Sequence, residues 1–146
     1  MRVDAGQGLL RHSPNCLACG DENPSTMGLR MWRVGDEVHG EVTLPPVLEG
    51  APGIAHGGIT AAVLDDVLGT QAMLGAETMS VTVHLEVDYY RPVRLGRRLT
   101  LRGRTIQIDG RKVSVAAELH DDDGLLAEGR GLFLCVPPEH FIAGVA

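Results

Sequence analysis

The chain of 146 residues has few aromatic side chains, no excess of basic residues and no apolar run long enough to cross a bilayer. Aromatics make up only 3% of the residues, so a core has to be built mainly from aliphatic side chains. The formal net charge of -6, with no long run of one sign, argues against a nucleic-acid partner. We therefore expect one soluble domain that binds neither nucleic acid nor a membrane.

The cysteines are also too few for a disulfide framework, and their odd number, three, fits a reducing compartment. Residues 1–15 contain no apolar core of signal-peptide length, so we expect a cytoplasmic protein. Cys16 and Cys19 form a C-x-x-C pair, the spacing of half a zinc site or of a redox pair. Zinc requires about four ligands, and the sequence offers only His12 and Cys135 as obvious partners. A structural role is therefore favoured, with no metal and no cofactor.

The most informative stretch covers residues 53–73 (GIAHGGITAAVLDDVLGTQAM). A loop ends in the His-Gly-Gly of residues 56–58, and a helix follows with apolar side chains on nearly every side. Such a helix is typical of a buried position. Two carboxylates, Asp65 and Asp66, lie in its middle, and an unpaired buried charge is strongly disfavoured. We therefore expect these acids to be used or paired.

Short segments with strand character lie on both sides of the helix. Two of them flank a turn signal at Gly35, and four follow the helix. The predicted strands are residues 29–34, 38–44, 79–90, 98–108, 112–119 and 125–136. In the strand after the helix, alternation predicts that Val81, Val83, Leu85 and Val87 face one side and Thr82 the other. The order β-β-α-β-β-β-β predicts an α+β fold, an antiparallel sheet wrapped around one long central helix.

Three motifs in this order resemble the hotdog-fold acyl-CoA thioesterases, in particular the PaaI-like group and the thioesterase superfamily-like relatives. The motifs are Cys16-x-x-Cys19-Gly20 with Asn23-Pro24 and Gly28-Leu29, His56-Gly57-Gly58 followed by Leu64-Asp65-x-x-x-Gly69, and Thr82-x-x-Leu85-x-Val87-x-Tyr89-x-Arg91-Pro92. The resemblance covers residues 16–136. We expect a hotdog domain over residues 27–137, an irregular segment over 1–26 and a loose tail over 138–146.

The resemblance implies hydrolysis of an acyl-CoA to the free acid and CoA, which is part of the substrate. The free amides at a helix N-terminus can stabilise a thioester oxyanion, and the resemblance assigns this task mainly to Gly58, with Gly57. It implies that Asp65 is the general base or the nucleophile. Thr82 is expected to orient water or the carboxylate, and His56 to brace the loop.

The helical period alone does not choose between the two acids, although small neighbours such as Ala61 and Gly69 leave room beside Asp65. The family motif favours Asp65, which leaves Asp66 as a structural acid. One departure from the family concerns the residue six positions before the His of His-Gly-Gly. Some members have Asn or Gln there to position the attacking water, whereas this chain has Gly50. Their water-positioning scheme does not carry over.

The resemblance also implies a set of substrate-binding residues, some of which can pair with the phosphates of CoA. They are Val81, Tyr89, Arg91, Pro92, Arg94, Gly110, Arg111 and Lys112. For any single Arg, an ordinary solvated charge is an equally good interpretation. An open sheet edge and the family's assembly predict a dimer or a dimer of dimers. Its active site would join the Asp of one chain to the His-Gly-Gly loop of the other.

Two other functions are compatible with a hotdog domain. A non-catalytic acyl-CoA binding or sensing protein would keep the glycines of residues 57–58 without needing Asp65. A hotdog dehydratase or hydratase is disfavoured, because those enzymes use a His with a carboxylate for proton transfer at carbon.

Overall fold

The computed structural model describes residues 2–3 and 8–142, in which one long helix packs against an eight-stranded antiparallel sheet. The strands are β1 (Arg2–Val3), β2 (Leu9–Arg11), β3 (Arg30–Val34), β4 (Glu37–Thr43), β5 (Ser80–Tyr89), β6 (Arg98–Asp109), β7 (Lys112–Asp121) and β8 (Gly124–Cys135). The helices are α1 (Gly57–Ala76) and α2 (Glu139–Ile142), with a 3-10 turn at Pro46–Leu48. The order across the sheet is β1-β2-β3-β4-β6-β7-β8-β5. The predicted α+β architecture is confirmed.

Helix α1 is buried because its apolar side chains point in nearly every direction. Val63, Leu64, Val67 and Leu68 are all at most 1% exposed, and strands β4 to β8 all contact the helix. The sheet therefore curls around α1 and forms the core on its concave face. Among the described residues, no helix is both long enough and apolar enough to span a membrane.

Glycines on two strands let the sheet approach the helix closely. A Cβ at Gly103 would lie 3.2 Å from Val67 Cγ1, and one at Gly129 would lie 3.2 Å from Leu68 Cδ1. Larger side chains there would push the sheet away from α1, since both neighbours are already packed in the core.

The predicted hairpins are present with tight turns. Val34 pairs with Glu37 across the turn at Gly35, and Asp109 pairs with Lys112 across the next hairpin. Asp121 pairs with Gly124 in the third. The turn residues of the sequence therefore set the order of strands β3–β4 and β6–β7–β8.

A buried amide fastens the helix to the first hairpin. The Gln71 side chain is fully buried, and its Oε1 accepts a hydrogen bond of 2.7 Å from the Val38 N–H. Its amide nitrogen donates to the Asp36 carbonyl at 2.9 Å and to Thr105 Oγ1 at 3.0 Å. One side chain thus joins α1 to β4 and β6.

The ends of the chain differ from the expected irregular segments. Residues 1–26 contain β1 and β2, and β2 pairs with β3 because Leu9 and Leu10 bury their side chains to 4% exposure. The tail, expected to be loose over 138–146, contains the short helix α2. Residues 1, 4–7 and 143–146 lie outside the described residues.

The predicted alternation in β5 is wrong at one point. The ladder with β8 shifts between Thr82 and His84, so Val83 is an extra residue and its side chain is 56% exposed. Such a bulge reverses which faces the flanking side chains occupy. Thr82 therefore pairs with the buried Phe133 and faces the helix, as does Leu85 on the other side of the bulge.

Candidate active site

The start of α1 presents one free backbone amide. His56 is the N-cap, and its Nδ1 accepts a hydrogen bond of 2.9 Å from the Gly58 N–H. The Ile59 and Thr60 amides both donate to the His56 carbonyl. Within the described part of the chain, the Gly57 N–H has no acceptor. Gly57 is exposed at the positive end of the helix, where an anion is stabilised.

The sequence predicts Gly58 as the main oxyanion donor and Gly57 as the second, whereas this geometry favours Gly57. The Gly58 amide is already used by His56, whereas the Gly57 amide is available. The Tyr89 hydroxyl donates to the Gly57 carbonyl at 2.6 Å and so anchors the helix start to the end of β5. These two bonds hold the peptide plane between Gly57 and Gly58, while the His56 carbonyl, which accepts from Ile59 and Thr60, holds the peptide that carries the Gly57 N–H.

A cavity of about 470 Å³ opens at this end of the helix. Gly57, Tyr89, Arg91 and Pro92 line it, so three of the predicted substrate-binding residues meet the predicted oxyanion loop. Arg94 is adjacent, because its backbone bridges to Ile54 in the cavity wall.

The carboxylate of Asp65 lies farther along the same helix. Thr82 Oγ1 donates a hydrogen bond of 2.9 Å to Asp65 Oδ1, which is the contact that the bulge in β5 makes possible. Burial raises the pKa of Asp65, and the hydrogen bond from Thr82 opposes part of that rise. A partly desolvated carboxylate with one oriented oxygen is suited to accept a proton or to attack a carbonyl.

Asp65 and Thr82 border a second cavity, of about 370 Å³. Val81, the remaining apolar residue of the predicted substrate set, lines it together with Phe133. Phe133 packs over Gly69, where a Cβ would lie 3.2 Å from its ring. Gly69, the glycine of the family motif, therefore leaves space for the Phe133 ring that lines this cavity.

Asp66 has a different environment from Asp65. Its side chain is buried, and Oδ1 lies 2.8 Å from His12 Nδ1. Burial raises the pKa of Asp66, and the contact with His12 opposes that rise. Burial by itself would lower the pKa of His12, but hydrogen bonding to Asp66 and Cys16 outweighs it and raises that pKa to about 9. Both acids border the Asp65 cavity, but Asp66 is buried and paired with His12, whereas Asp65 is the more exposed of the two.

The free amide and the carboxylate do not meet within one chain. Gly57 and Asp65 are eight positions apart on α1, which corresponds to about 12 Å along the helix axis. Each opens to its own cavity.

The loop before the helix has no room for the amide side chain that some family members carry. A Cβ at Gly50 would lie 2.7 Å from the His56 Cα, which is closer than real contacts allow. The neighbouring Glu49 is engaged, since its Oε1 accepts a hydrogen bond of 2.6 Å from the Gly53 N–H. Position 50 therefore cannot carry the amide that positions the attacking water in those members.

The basic residues of the predicted CoA site form two groups at opposite ends of the sheet. Arg91 Nε donates to the Leu125 carbonyl at the start of β8, whereas Arg111 Nε donates to the Cys135 carbonyl at its end. Ten residues of strand separate these carbonyls by about 30 Å. Within one chain, the two groups therefore lie at opposite ends of β8.

Two exposed cations have side chains without a partner among the described residues, one in each group. They are Arg94 near the helix start and Lys112 after the turn at Gly110, a glycine with φ of +57°. Lys112 pairs with Leu134, which in turn pairs with Val81 at the Asp65 cavity. Arg94 therefore lies near the Gly57 end of the helix, and Lys112 lies on the side of the Asp65 cavity.

The fold and these two half-sites define a hotdog protein with a carboxylate and a helix-start amide. The sequence profile of the thioesterase superfamily matches residues 52–128, more than half of the chain. The chain belongs to the thioesterase superfamily. The match covers the loop, α1 and β5 to β7, which carry every predicted catalytic residue.

Relatives and solved structures agree with this assignment. The chain is 36% identical over 95 residues to acyl-coenzyme A thioesterase THEM4 of Xenopus laevis, covering 64% of this chain and 42% of that protein. The mouse THEM4 is 32% identical over 94 residues, covering 63% and 40%. The chain thus spans about two fifths of the curated relatives it matches.

A solved thioesterase superfamily protein is 35% identical, with a TM-score of 0.76 over 85% of this chain and 63% of that one. A mutant of the phenylacetic acid degradation protein PaaI from Thermus thermophilus has a TM-score of 0.69 over 75% of this chain and 95% of that chain. At 21% identity, the second likeness concerns the fold alone.

Proposed function

We propose that the protein is an acyl-CoA thioesterase, which hydrolyses an acyl-CoA thioester to the free acid and CoA. The observation that carries this proposal is the Asp65 carboxylate, partly buried at a cavity wall and oriented by Thr82. The helix that holds it begins with the unoccupied amide of Gly57. The names of the THEM4 relatives support the same substrate class.

In the proposed reaction, the thioester carbonyl accepts a hydrogen bond from the Gly57 N–H. Asp65 then acts in one of two ways: it removes a proton from the attacking water, or it attacks the carbonyl carbon itself and forms an anhydride that water hydrolyses. In either case negative charge develops on the carbonyl oxygen, and the amide stabilises it by a few kcal/mol. The C–S bond breaks, and CoA leaves as the thiol after taking up a proton.

The two half-sites favour an assembly of at least two chains. Strand β5 is the last strand of the sheet, so among the described residues no strand pairs with its outer edge. Antiparallel pairing of two β5 edges would set the Gly57 end of one chain beside the Asp65 cavity of the other. The same pairing would bring Arg94 of one chain and Lys112 of the other toward a single substrate, although the two groups of cations lie at opposite ends of the sheet within one chain.

The rival function is acyl-CoA binding without hydrolysis. Binding alone would use the same cavities and cations, but it would not require the Asp65 carboxylate. Replacement of Asp65 therefore separates the two functions.

The decisive experiment measures thiol release from short, long, branched and aryl acyl-CoAs by the wild type, Asp65→Asn and a control, Asp36→Asn. Asp36 is exposed in a turn, and its carbonyl accepts from Gln71, while its carboxylate forms no hydrogen bond or ion pair with another side chain among the described residues. We expect hydrolysis of at least one substrate by the wild type and the control, and loss of turnover with binding retained in Asp65→Asn. If no acyl-CoA in the panel is hydrolysed by the wild type but several bind, the binding protein is the correct function.

A further inference from the structure

A second cluster of reactive side chains lies beside Asp65 but is not used in the proposed reaction. It consists of His12, Cys16, Cys19 and Asp66. Each offers one ligand atom, and these four atoms lie within 4.8 Å of one another. The sequence predicts His12 and Cys135 as the possible partners of the cysteines; in the structure His12 lies in the cluster, whereas Asp66 takes the place expected for Cys135.

We propose that these four residues bind one zinc ion, which fastens the loop of residues 12–20 to the middle of α1. Thiolate sulfur, imidazole nitrogen and carboxylate oxygen are the ligands that zinc uses in proteins. At usual zinc–ligand lengths, the edges of a tetrahedral site measure about 3.3–3.8 Å. Cys19 Sγ lies 3.7 Å from His12 Nδ1, and Cys16 Sγ lies 3.4 Å from Asp66 Oδ1, both within this range. The edge from His12 Nδ1 to Asp66 Oδ1 is 2.8 Å, so these two atoms have to separate by about 0.5 Å when the ion binds.

The histidine is held in the orientation that a ligand needs. Thr70 Oγ1 has one hydrogen, and it donates it to the Asp66 carbonyl at 2.8 Å. The same oxygen therefore accepts from His12 Nε2, 2.7 Å away. In the neutral imidazole this leaves the lone pair of Nδ1 directed at the cluster. A hydrogen bond to the distal ring nitrogen is the usual support of a metal-bound histidine.

The cluster is also short of positive charge. A carboxylate oxygen lies 2.8 Å from Nδ1, and the other oxygen, Asp66 Oδ2, is buried without a hydrogen-bond partner among the described residues. A proton on Nδ1 would form an ion pair with Asp66 Oδ1, which also accepts from the Cys16 thiol, but it would leave the buried Oδ2 without a partner. A divalent cation satisfies the nitrogen, the carboxylate and both sulfurs together.

The loop is folded so that both cysteines face the helix. The Gly20 N–H donates to the Cys16 carbonyl at 2.9 Å, and the Cys16 N–H donates to the Ser13 carbonyl at 3.1 Å. A Cβ at Gly20 would lie 2.4 Å from the Pro14 carbonyl oxygen, so only glycine fits there. The Gly of the C-x-x-C-G motif thus permits the tight turn that gathers the ligands.

Four protein ligands fill a tetrahedral site, which is the pattern of structural rather than catalytic zinc. Because Asp66 adjoins Asp65, and His12 lines the Asp65 cavity, the ion would fix one wall of that cavity. The inference does not depend on thioesterase activity, and metal content tests it directly.

The test measures zinc per chain in the purified wild type, and then the absorption spectrum after exchange of zinc for cobalt. We expect one zinc per chain and a sulfur-to-cobalt charge-transfer band. Cys16→Ser and Cys19→Ser should lose both, whereas Cys135→Ser, a free cysteine outside the cluster, should keep both. Thr70→Val should retain the four ligands but bind zinc about 10- to 100-fold more weakly.

Measurements on the wild type alone keep the proposal falsifiable even if a cysteine variant does not fold. Reduced protein that is reconstituted with excess zinc, and that retains none after gel filtration, would overturn the proposal in favour of a simple His12–Asp66 ion pair. The same conclusion follows if cobalt binds without a charge-transfer band, because the sulfurs are then not ligands. A chelator that lowers the unfolding midpoint of the wild type but not of Cys16→Ser supports the site.

Discussion

Thr82 Oγ1 lies 2.9 Å from Asp65 Oδ1, so a strand at the edge of the sheet directs a carboxylate in the centre of the helix. The contact exists because Val83 is an extra residue in β5, which turns Thr82 inward. Within the described residues, Thr82 is the only protein group that donates a hydrogen bond to this carboxylate, which lies at the cavity wall.

Replacement of Thr82 by valine keeps the shape of the side chain and removes the donor. Because a hydrogen bond to a charged group contributes about 1.5–3 kcal/mol, we expect kcat to fall by about 10- to 100-fold. Thr43→Val, at an exposed position of β4, is the matched control and should leave kcat unchanged. Steady-state kinetics on an acyl-CoA substrate tests this, and an unchanged kcat in Thr82→Val would remove Thr82 from the site.

The Gly57 amide can be deleted without deleting the helix. Proline lacks the N–H and is well tolerated at the first position of a helix, which is where Gly57 lies. His56, the preceding residue, has ψ of 135°, a conformation that proline accepts in its neighbour. We expect Gly57→Pro to lower kcat by about 10²- to 10³-fold, the usual effect of losing one oxyanion donor.

Gly57→Ala is the control, because it keeps the N–H and its Cβ would meet only the Tyr89 hydroxyl region at 3.7 Å. It should retain most of the activity that Gly57→Pro loses. Equal losses in both variants would show that shape, not the amide, matters at this position. Circular dichroism of both proteins establishes that α1 is still formed.

Local patterns in the sequence were sufficient to predict the long helix and the hairpins. Glycines at 35 and 110 produce tight turns whatever surrounds them, and a helix that is apolar on all sides has to be buried. Periodicity alone could not choose between Asp65 and Asp66, because both lie in the same turn of α1. Their different environments depend on His12 and Thr82, which lie 54 positions before Asp66 and 17 after Asp65.

The features that the sequence did not reveal all depend on contacts between distant segments. The bulge at Val83 is set by the register with β8 and leaves no local signal in a run of alternating residues. Gln71 looks like an ordinary helix residue, yet it is fully buried. The sequence contains one indication: Gln71 lies in a helix that is apolar on all sides, and a polar side chain buried there needs hydrogen-bond partners.

Gln71 therefore provides a test of stability that is separate from catalysis. In Gln71→Leu the Val38 N–H and the Asp36 carbonyl lose their partner. Since a buried unsatisfied group costs about 1–3 kcal/mol, we expect the free energy of unfolding in urea to fall by at least that amount. Gln107→Leu, an exposed position of β6, should change it little. Similar midpoints for the two variants would mean that the Gln71 bridge does not stabilise the fold.

The final prediction concerns the division of the active site between two chains. Two differently tagged chains are co-expressed, one with Gly57→Pro and an intact Asp65, the other with Asp65→Asn and an intact Gly57. Mixed dimers are isolated by passing the protein over both affinity resins in turn. Each homodimer is expected to be inactive, because every site in it lacks either the amide or the carboxylate.

A mixed dimer distinguishes the two arrangements of the site. If the amide of one chain serves the carboxylate of the other, one site of the pair is intact and the other is doubly defective, so activity returns to about half of the wild-type value. If both groups of a site came from one chain, every site would still carry one defect and no activity would return. The separation of about 12 Å between Gly57 and Asp65 along α1 favours the first result. A stable mixed dimer without activity would require the helix start and Asp65 of one chain to serve a single substrate despite that distance.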